Sequence, residues 1–323
     1  MNRIQSIALA AAAAAAMVPQ LVQAQAFPDK PITFVVPFAA GTATDQIARA
    51  IGNGITAETK QAVVIDNKAG ASGFIASQQV AKAAPDGYTV LITTNTTHAA
   101  NEHLFKKLPY DPVKDFSPVA ALGKGGQIMV VNPSFPAKTV AEFVALAKKE
   151  PGKYSFGSGS SSSRMAGELL QQMADIKLLH VPYKSNTLAV TDLLGGQISM
   201  MITDTATGLP QVKSGKLRAL GMSSSNRSPL APDVPTIAEA GVKGYEMGYW
   251  FAAYAPAKTP PAVIKRLNEL LVKAATSEAA KTAFYEPTGT EVFTTSPEEM
   301  AKFQAGESQK WGRIVKAAGI EAE

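Results

Sequence analysis

Two stretches of small and hydroxyl-bearing residues carry the strongest chemical signal in this sequence. The first follows an apolar run and comprises Phe38, Ala39, Ala40, Gly41, Thr42, Ala43, Thr44 and Asp45. Small residues leave the backbone accessible, and Thr44 or Asp45 can cap the helix that follows. Exposed N–H groups at a helix start bind anions, aided by the helix dipole. The stretch therefore predicts either an anion site or an ordinary tight turn closed by a capping aspartate.

The second stretch also lies between a predicted strand and a predicted helix. It comprises Gly157, Ser158, Gly159, Ser160, Ser161, Ser162, Ser163 and Arg164. Serine hydroxyls can donate or accept hydrogen bonds, and an arginine can bind a carboxylate through two parallel hydrogen bonds. The alternative is a flexible, solvated serine loop with Arg164 on the surface. Because this stretch mirrors the first, we favour a site in which the two loops face each other and clamp an anion.

Catalytic motifs are missing from the sequence. It contains no G-x-S-x-G elbow around the serines, no Walker A motif, no dinucleotide-binding motif in place and no H-E-x-x-H. His98 and His103 lie five residues apart, a spacing that does not stack two metal ligands on one helical face. His180 lies in a predicted strand and is interpreted as structural. We therefore predict no enzyme activity, no metal and no cofactor; an exported hydrolase using Ser160–Ser163 with Asp45 would lack a placed histidine base.

One further acidic residue follows a predicted strand. Asp204 comes directly after the apolar run 200–203. It either lines the cleft or caps the next helix.

Composition excludes several function classes. The chain has 323 residues, 46% of them hydrophobic and 18% charged, with no cysteine and a formal net charge of +5. This length predicts two domains. The absence of cysteine excludes disulfides, thiolate chemistry and a lipidated N-terminus. The mild charge without a dense basic block argues against a nucleic-acid partner.

The N-terminal residues 1–26 form a targeting segment in this interpretation. Arg3 precedes an apolar run over residues 7–18, and the small-residue pattern Ala24-Gln25-Ala26 follows. This arrangement is typical of a secretory signal peptide, and the apolar run is too short to span a membrane. We expect cleavage near Ala24 or Ala26, a mature protein that is not embedded in a membrane, and, in a Gram-negative cell, a periplasmic location.

Strands and helices alternate along the mature chain, which predicts an α/β fold with two lobes and a cleft. Each lobe is expected to be a mostly parallel sheet flanked by helices. Lobe 1 is predicted to comprise residues 27–122 and 252–323, and lobe 2 residues 123–251. Strands are expected to cross between the lobes near Ala120–Gly123 and Tyr249–Ala253, and these crossings are the expected hinges. Predicted strands cover 32–38, 62–67, 88–94, 127–133, 154–159, 180–183, 197–203, 217–224 and 249–256.

Long motifs over nearly the whole mature chain resemble the Bug-type solute receptors of tripartite tricarboxylate transporters. They include FPDKPITFVVPFAAG, NKAGASG, APDGYTVLITT, HVPYK, DLLGGQISMM and PDVPTIAEAG, in the family's order. The resemblance implies a periplasmic-binding-protein-like fold that closes on a carboxylate and delivers it to membrane permease subunits. It also implies that the loops 38–45 and 158–164 hold one carboxylate, partly through ordered waters.

The sequence departs from this family where the ligand should lie. Thr42 replaces a usual glycine, Arg164 replaces a frequent histidine, and Ser185, Asn186 and Thr187 follow Tyr183-Lys184 where glycines are usual. These side chains reshape the distal end of the pocket, so the citrate-like and amino-acid-like ligands of the family do not carry over. The predicted ligand-binding residues are Phe38, Ala39, Ala40, Gly41, Thr42, Thr44, Asp45, Ser158, Ser160, Ser162, Ser163, Arg164, Tyr183 and Asp204.

Our hypothesis for the ligand is a dicarboxylate. One carboxylate would meet the loop N–H groups and serine hydroxyls, and the other would meet Arg164. Phe38, Tyr249 and Trp250 would supply flat apolar walls, which makes an aromatic acid such as terephthalate a candidate, unless these aromatic residues belong to the core. We expect a monomer. A sensor subunit that presents its closed form to a signalling partner stays open as an alternative, since transport and sensing need the same clamp.

Overall fold

The computed structural model describes residues 27–317 and 319–322, so the predicted signal peptide and its cleavage site lie outside the described residues. The strands are β1 (Ile32–Val36), β2 (Val63–Asn67), β3 (Thr89–Thr94), β4 (Phe116–Val131), β5 (Ser155–Ser158), β6 (Leu179–Pro182), β7 (Met200–Asp204), β8 (Arg218–Met222) and β9 (Gly248–Pro256). The α-helices are α1 (Ala43–Thr59), α2 (Phe74–Ala81), α3 (Asn101–Leu104), α4 (Val140–Lys149), α5 (Ser161–Ala174), α6 (Asn186–Leu194), α7 (Thr205–Lys213), α8 (Pro261–Ala275), α9 (Glu278–Ala280), α10 (Glu286–Thr288) and α11 (Pro297–Ala317). Short 3₁₀ or π turns cover Ala71–Gly73, Thr96–Ala100 and Lys281–Tyr285.

The strands form one sheet in the order β2-β1-β3-β9-β4-β7-β5-β6, and β8 also pairs with β4. The outer strands pair in parallel, as the strand–helix alternation predicts: β1 with β2 and β3, and β5 with β6 and β7. The central strands β4 and β9 pair antiparallel with each other and with their neighbours. The parallel arrangement expected from the sequence thus holds at both ends of the sheet but not at its centre.

Strand β4 connects the two halves of the molecule. Its residues 116–126 pair with β9, whereas from Gln127 onward it pairs with β7 and β8. The sequence predicted a strand over 127–133 and a crossing strand near Ala120–Gly123, but not that both belong to one continuous strand from Phe116 to Val131. Pro118 and the glycines 123, 125 and 126 are more typical of turns or strand edges. The change of partner therefore falls between Gly126 and Gln127.

Apolar faces at helical spacing anchor the helices to this sheet. In α1, Ile47, Ile51 and Ile55 are buried, as their spacing predicts. Each such side chain contributes about 1.5–3 kcal/mol on full burial. In α5, Met165 is buried, whereas Met173, two turns further on, is 38% exposed. Within residues 27–317 and 319–322, no helix has the length and apolar character needed to cross a bilayer.

Four helices begin beside the carboxyl ends of strands. The parallel strands of the two halves run in opposite directions, so these carboxyl ends, and the helix N-termini beside them, point toward the junction of the two halves. Thr42 caps α1, Ser160 caps α5, Ser185 caps α6 and Asp204 caps α7, each through a side-chain oxygen that accepts a backbone N–H. The carboxyl ends of strands are where open α/β sheets place ligands. The first turns of these helices also offer N–H groups without intrahelical partners.

Candidate ligand-binding site

The two loops selected from the sequence line one enclosed cavity. This cavity has a volume of about 40 Å³, which is room for roughly three water molecules. Residues from both halves of the sheet contribute: Phe38, Thr42, Ala43, Thr44, Thr94, Gln127, Gly159, Ser160, Ser162, Asn186, Asp204, Tyr249 and Phe251. The loops 38–45 and 158–164 thus face each other across a shared crevice.

The first loop turns sharply before α1. Gly41 adopts a left-handed φ of 81°, a conformation that glycine reaches without strain. The hydroxyl of Thr42 donates to the Ala39 carbonyl at 2.8 Å and accepts the Asp45 N–H at 3.4 Å. This geometry turns the first residues of α1 toward the cavity, whereas Ala40 and Gly41 are exposed. Of the predicted residues in this loop, Phe38, Thr42 and Thr44 line the cavity; Ala39, Ala40 and Gly41 do not.

Asp45 stabilises the first loop and does not line the cavity. Its carboxylate accepts hydrogen bonds from the Gly41 N–H at 2.9 Å and from Arg49 Nε at 3.0 Å. Burial raises the pKa of Asp45, but the hydrogen bonds from Arg49 and Gly41 outweigh it, so the net pKa lies below its ordinary value. Asp45 is therefore an ionised residue of the first helical turn that holds Gly41 in place. The cap itself is Thr42, so the expectation that Thr44 or Asp45 caps the helix was wrong.

The second loop is held by serine–serine hydrogen bonds. Ser160 Oγ accepts the Ser163 N–H at 3.2 Å, and Ser163 Oγ accepts the Ser160 N–H at 3.2 Å, which forms a capping box. Ser160 and Ser162 line the cavity, whereas Ser163 is fully buried within the cap. Ser158 Oγ lies 2.7 Å from His180 Nε2 and faces an adjoining cavity instead. The predicted serines therefore divide into two that reach the enclosed cavity and two that do not.

Asn186 joins the second loop to the end of β7. Its Oδ1 accepts the Gly159 N–H and the Ser163 hydroxyl, both at 3.0 Å. Its Nδ2 donates to Asp204 Oδ2 at 2.9 Å. The sequence marked Asn186 only as a departure from the family pattern; its position after β6, at the start of a helix, was the available signal.

Asp204 fills both roles that the sequence left open. Its Oδ1 accepts the Thr207 N–H at 2.8 Å, which caps α7, and the residue also lines the cavity. Among the cavity-lining residues that the structure describes, Asp204 is the single Asp or Glu, and neither Lys nor Arg is present. Among the groups that line this cavity, positive potential therefore comes from helix N-termini rather than from cationic side chains.

Arg164 and Tyr183 line a second, adjoining cavity of about 300 Å³. Phe38, Gly159 and Ser160 line both cavities and form the boundary between them. Arg164 Nε lies 3.9 Å from Glu168 Oε1. The Tyr183 hydroxyl donates to Asp192 at 2.8 Å, and desolvation together with this carboxylate raises the pKa of Tyr183 to about 12.

The expected aromatic wall is only partly present. Phe38 and Tyr249 line the enclosed cavity, but Trp250 does not, because successive side chains of a strand point to opposite faces. Phe251, two residues beyond Tyr249, lines the cavity in its place. Trp250 donates to Glu307 at 3.1 Å and faces an open groove of about 830 Å³. Thr94, at the end of β3, is a further lining residue that the sequence did not identify.

The histidines contact different partners. His98 is fully buried against Tyr254, with ring centroids 3.9 Å apart, and burial lowers the pKa of His98 to about 3. His180 lies in β6 and stacks on Phe156. Within the part of the chain that the structure describes, no group of three or more His, Asp or Glu residues could hold a metal ion.

Comparisons with known proteins agree on a family. The family model described as "Tripartite tricarboxylate transporter family receptor" matches residues 47–320. The protein BugT of Bordetella pertussis (strain Tohama I) is 35% identical over 93% of this chain and 93% of its own length.

Solved structures extend the agreement to the fold. Rpa4515 of R. palustris, solved with adipate, is 33% identical with a TM-score of 0.89, over 92% of this chain and 100% of that one. The periplasmic binding protein BugD is 32% identical with a TM-score of 0.87 over the same shares. MatC from Rhodopseudomonas palustris, solved with malate, is 31% identical with a TM-score of 0.84, over 90% of this chain and 100% of that one. These similarities confirm the two-lobed α/β fold of periplasmic binding proteins and the resemblance found in the motifs, and the chain belongs to the receptor family of tripartite tricarboxylate transporters.

Proposed function

We propose that this protein is an exported periplasmic receptor that captures a small dicarboxylate between its two loops and delivers it to a membrane permease. The observation that carries the proposal is the shared cavity, into which the first turns of α1 and α5 open from opposite halves of the sheet. A ligand held there would touch both halves at once.

The first carboxylate of the ligand fits the enclosed cavity. The hydroxyls of Thr42, Thr44, Ser160 and Ser162 surround a space of a few water molecules, which is close to the size of a carboxylate group. Unpaired N–H groups and the dipole at a helix N-terminus stabilise an anion by about 0.3–1 kcal/mol per helix at exposed sites, and by more where the site is partly buried. The capping bonds on Asp204 occupy its oxygens and reduce its repulsion of the ligand.

The second carboxylate extends into the adjoining cavity. Arg164 and Lys184 line that cavity. We place the ligand's chain across the boundary between the two spaces, beside the shared residues Phe38, Gly159 and Ser160. An arginine beside a carboxylate contributes a charge-assisted hydrogen bond of about 1.5–3 kcal/mol. Phe38, Tyr249 and Phe251 offer apolar surface to the chain, so terephthalate is worth testing beside linear acids. The adipate of Rpa4515 and the malate of MatC are both dicarboxylates.

Ligand binding would act by shifting the receptor toward a closed form. Contacts with both lobes favour closure by the free energy that they add in the closed state. We place lobe 1 at residues 27–122 and 252–323 and lobe 2 at 123–251, with the protein acting as a monomer. The proposed hinges are the crossings near Ala120–Gly123 and Tyr249–Ala253; β4 changes its partner a few residues beyond the first of them, between Gly126 and Gln127. The closed form would then present its surface to the permease.

The proposal is tested by identifying the ligand and measuring its affinity. Native mass spectrometry of protein purified from the periplasm should report a retained acid. Calorimetric titration should then show binding of at least one of succinate, glutarate, adipate, malate or terephthalate, with butyrate as a monocarboxylate control that binds weakly. The same acid should be recovered chemically unchanged. Binding of citrate or glutamate with no binding of any of these five dicarboxylates would overturn the proposal.

A further inference from the structure

A buried hydrogen bond beside the candidate site joins the two halves of the molecule. Ser161 Oγ, in the first turn of α5, donates to Asn101 Oδ1, at the start of α3, at 2.8 Å. Asn101 is fully buried, and Ser161 is 5% exposed. Neither residue belongs to β4 or β9, the strands that cross between the halves. The bond therefore connects the halves directly, away from the crossing strands.

Asn101 is held in place by residues of its own half. Its Nδ2 donates to the Ser72 carbonyl at 2.9 Å and to the Tyr110 hydroxyl at 3.3 Å. Tyr110 in turn donates to the Thr97 carbonyl at 2.9 Å. These bonds fix the orientation of the amide, because turning it over would place its oxygen against the Ser72 carbonyl oxygen. Asn101 thus presents an acceptor to the second half of the molecule.

Ser161 differs in its contacts from the serines on either side of it. The capping box of α5 uses Ser160 and Ser163, and Ser160 and Ser162 line the enclosed cavity. The Ser161 hydroxyl belongs to neither set; it lines the adjoining cavity and bonds to Asn101. Its role is therefore to be sought in the contact between the halves.

This contact depends on how the halves are oriented. Because Ser161 and Asn101 lie on different halves, a rotation about the crossing strands separates them, and water then bonds to both groups. We propose that these two residues form an interlobe latch that stabilises the closed form of the receptor independently of the ligand. A buried hydrogen bond of this kind changes an equilibrium constant roughly two- to tenfold. This inference rests on the proposed function, because it assumes that the lobes open and close.

A latch and a ligand contact have different consequences. A latch changes the population of the closed form, so it changes the affinity for every ligand by the same factor and leaves selectivity unchanged. It also shifts the equilibrium between open and closed protein when no ligand is bound. A residue that touches the ligand does neither: its effect depends on the ligand, and the ligand-free equilibrium stays as it was.

Distance measurements on the ligand-free protein test the latch. Since the chain has no cysteine, Gln79→Cys and Thr191→Cys, at exposed positions of α2 and α6, take spin labels at these two sites alone. Pulsed electron paramagnetic resonance should show a ratio of closed to open protein at least threefold lower in Ser161→Ala than with Ser161 present. Ser199→Ala is the matched control and should keep the ratio, because the Ser199 hydroxyl accepts the Ser155 N–H within one half.

Calorimetric titration and a double-mutant cycle complete the test. Ser161→Ala should weaken succinate, malate and adipate by one common factor. Asn101→Ala removes the same bond, so the double variant should lower the ratio of closed to open protein no further than the larger single change, within twofold. Multiplying effects, an effect of Ser161→Ala on affinity with an unchanged ligand-free ratio, or no effect on either would overturn the latch.

The outcomes separate this inference from the proposed function. The distance measurement needs no ligand, so binding of no dicarboxylate would overturn the proposed function alone. A single label distance with and without a bound acid would overturn both closure and the latch. Asn101→Ala also loses the bonds to Ser72 and Tyr110; should it fail to fold, the two measurements on Ser161→Ala decide the matter.

Discussion

Replacing Gly159 by alanine should force the second loop away from the cavity. An added Cβ would lie 1.9 Å from the carbonyl carbon of Ser185 and 2.1 Å from the backbone nitrogen of Asn186. Both are backbone atoms, so no side-chain rotation relieves the overlap. Overpacking costs about 1–3 kcal/mol, and losing the two bonds from Gly159 and Ser163 to Asn186 costs about 1 kcal/mol each. We expect Gly159→Ala to lower the free energy of unfolding by about 3–5 kcal/mol.

Calorimetry and ligand titration measure this effect. At about 2–4 °C per kcal/mol, the melting temperature should fall on the order of 10 °C, and dicarboxylate affinity should fall at least tenfold because the loop no longer reaches the ligand. Gly306→Ala is the matched control: Gly306 lies on the exposed side of α11, and its added Cβ meets nothing within 4 Å. It should raise stability by roughly 0.5–1 kcal/mol. A Gly159→Ala protein with wild-type melting temperature and affinity would refute the close packing of loop 158–164 against the turn at Ser185.

Three further changes test separate parts of the account. Arg164→Ala should weaken the binding of a dicarboxylate by about 1.5–3 kcal/mol in calorimetric titration. Arg227→Ala breaks an ion pair with Glu239 outside both cavities and should leave this binding unchanged. Unchanged affinity in Arg164→Ala would make that residue a surface group only. Trp250→Phe should lower the melting temperature, because packing and the hydrogen bond to Glu307 are lost, without changing ligand affinity. A lower ligand affinity in this variant would show that Trp250 does reach the site. His98 has a pKa of about 3 when folded and 6.5 when unfolded. Its stability contribution is therefore complete above pH 6.5 and falls by about 1.4 kcal/mol per pH unit as the pH drops toward 3. Denaturant titrations at several pH values should show a shallower acid loss in His98→Phe than in the wild type, and parallel curves would contradict this assignment.

The sequence predicted the parts of the fold that depend on local signals. Apolar runs bounded by turns located the strands of both halves, and the four-residue spacing of Ile47, Ile51 and Ile55 located the buried face of α1. In the first half of β4 a crossing strand was expected near Ala120–Gly123, but its bounds and its continuity with 127–131 were not predicted, because its proline and glycines resemble a turn. They are accommodated because β9 runs alongside them, which is a contact between residues far apart in the sequence.

The site was predictable only to the level of loops. Two strand-to-helix loops could be selected because their composition exposes N–H groups and hydroxyls. Which side chain of each loop reaches the cavity depends on turns such as Gly41 and on hydrogen bonds such as that from Arg49 to Asp45. Gln127 and Asn186 enter the site through strand pairing and through a contact between two loops, neither of which a single sequence reveals.

A crystal structure of the wild-type protein with a tightly bound dicarboxylate tests the central claim most directly. We predict one carboxylate in the enclosed cavity, with its oxygens within hydrogen-bonding distance of the first turns of both α1 and α5, directly or through a water. The other carboxylate should lie on the Arg164 side of Phe38. A ligand bound in the open groove beside Trp250, or one that touches only one of the two loops, would contradict the account.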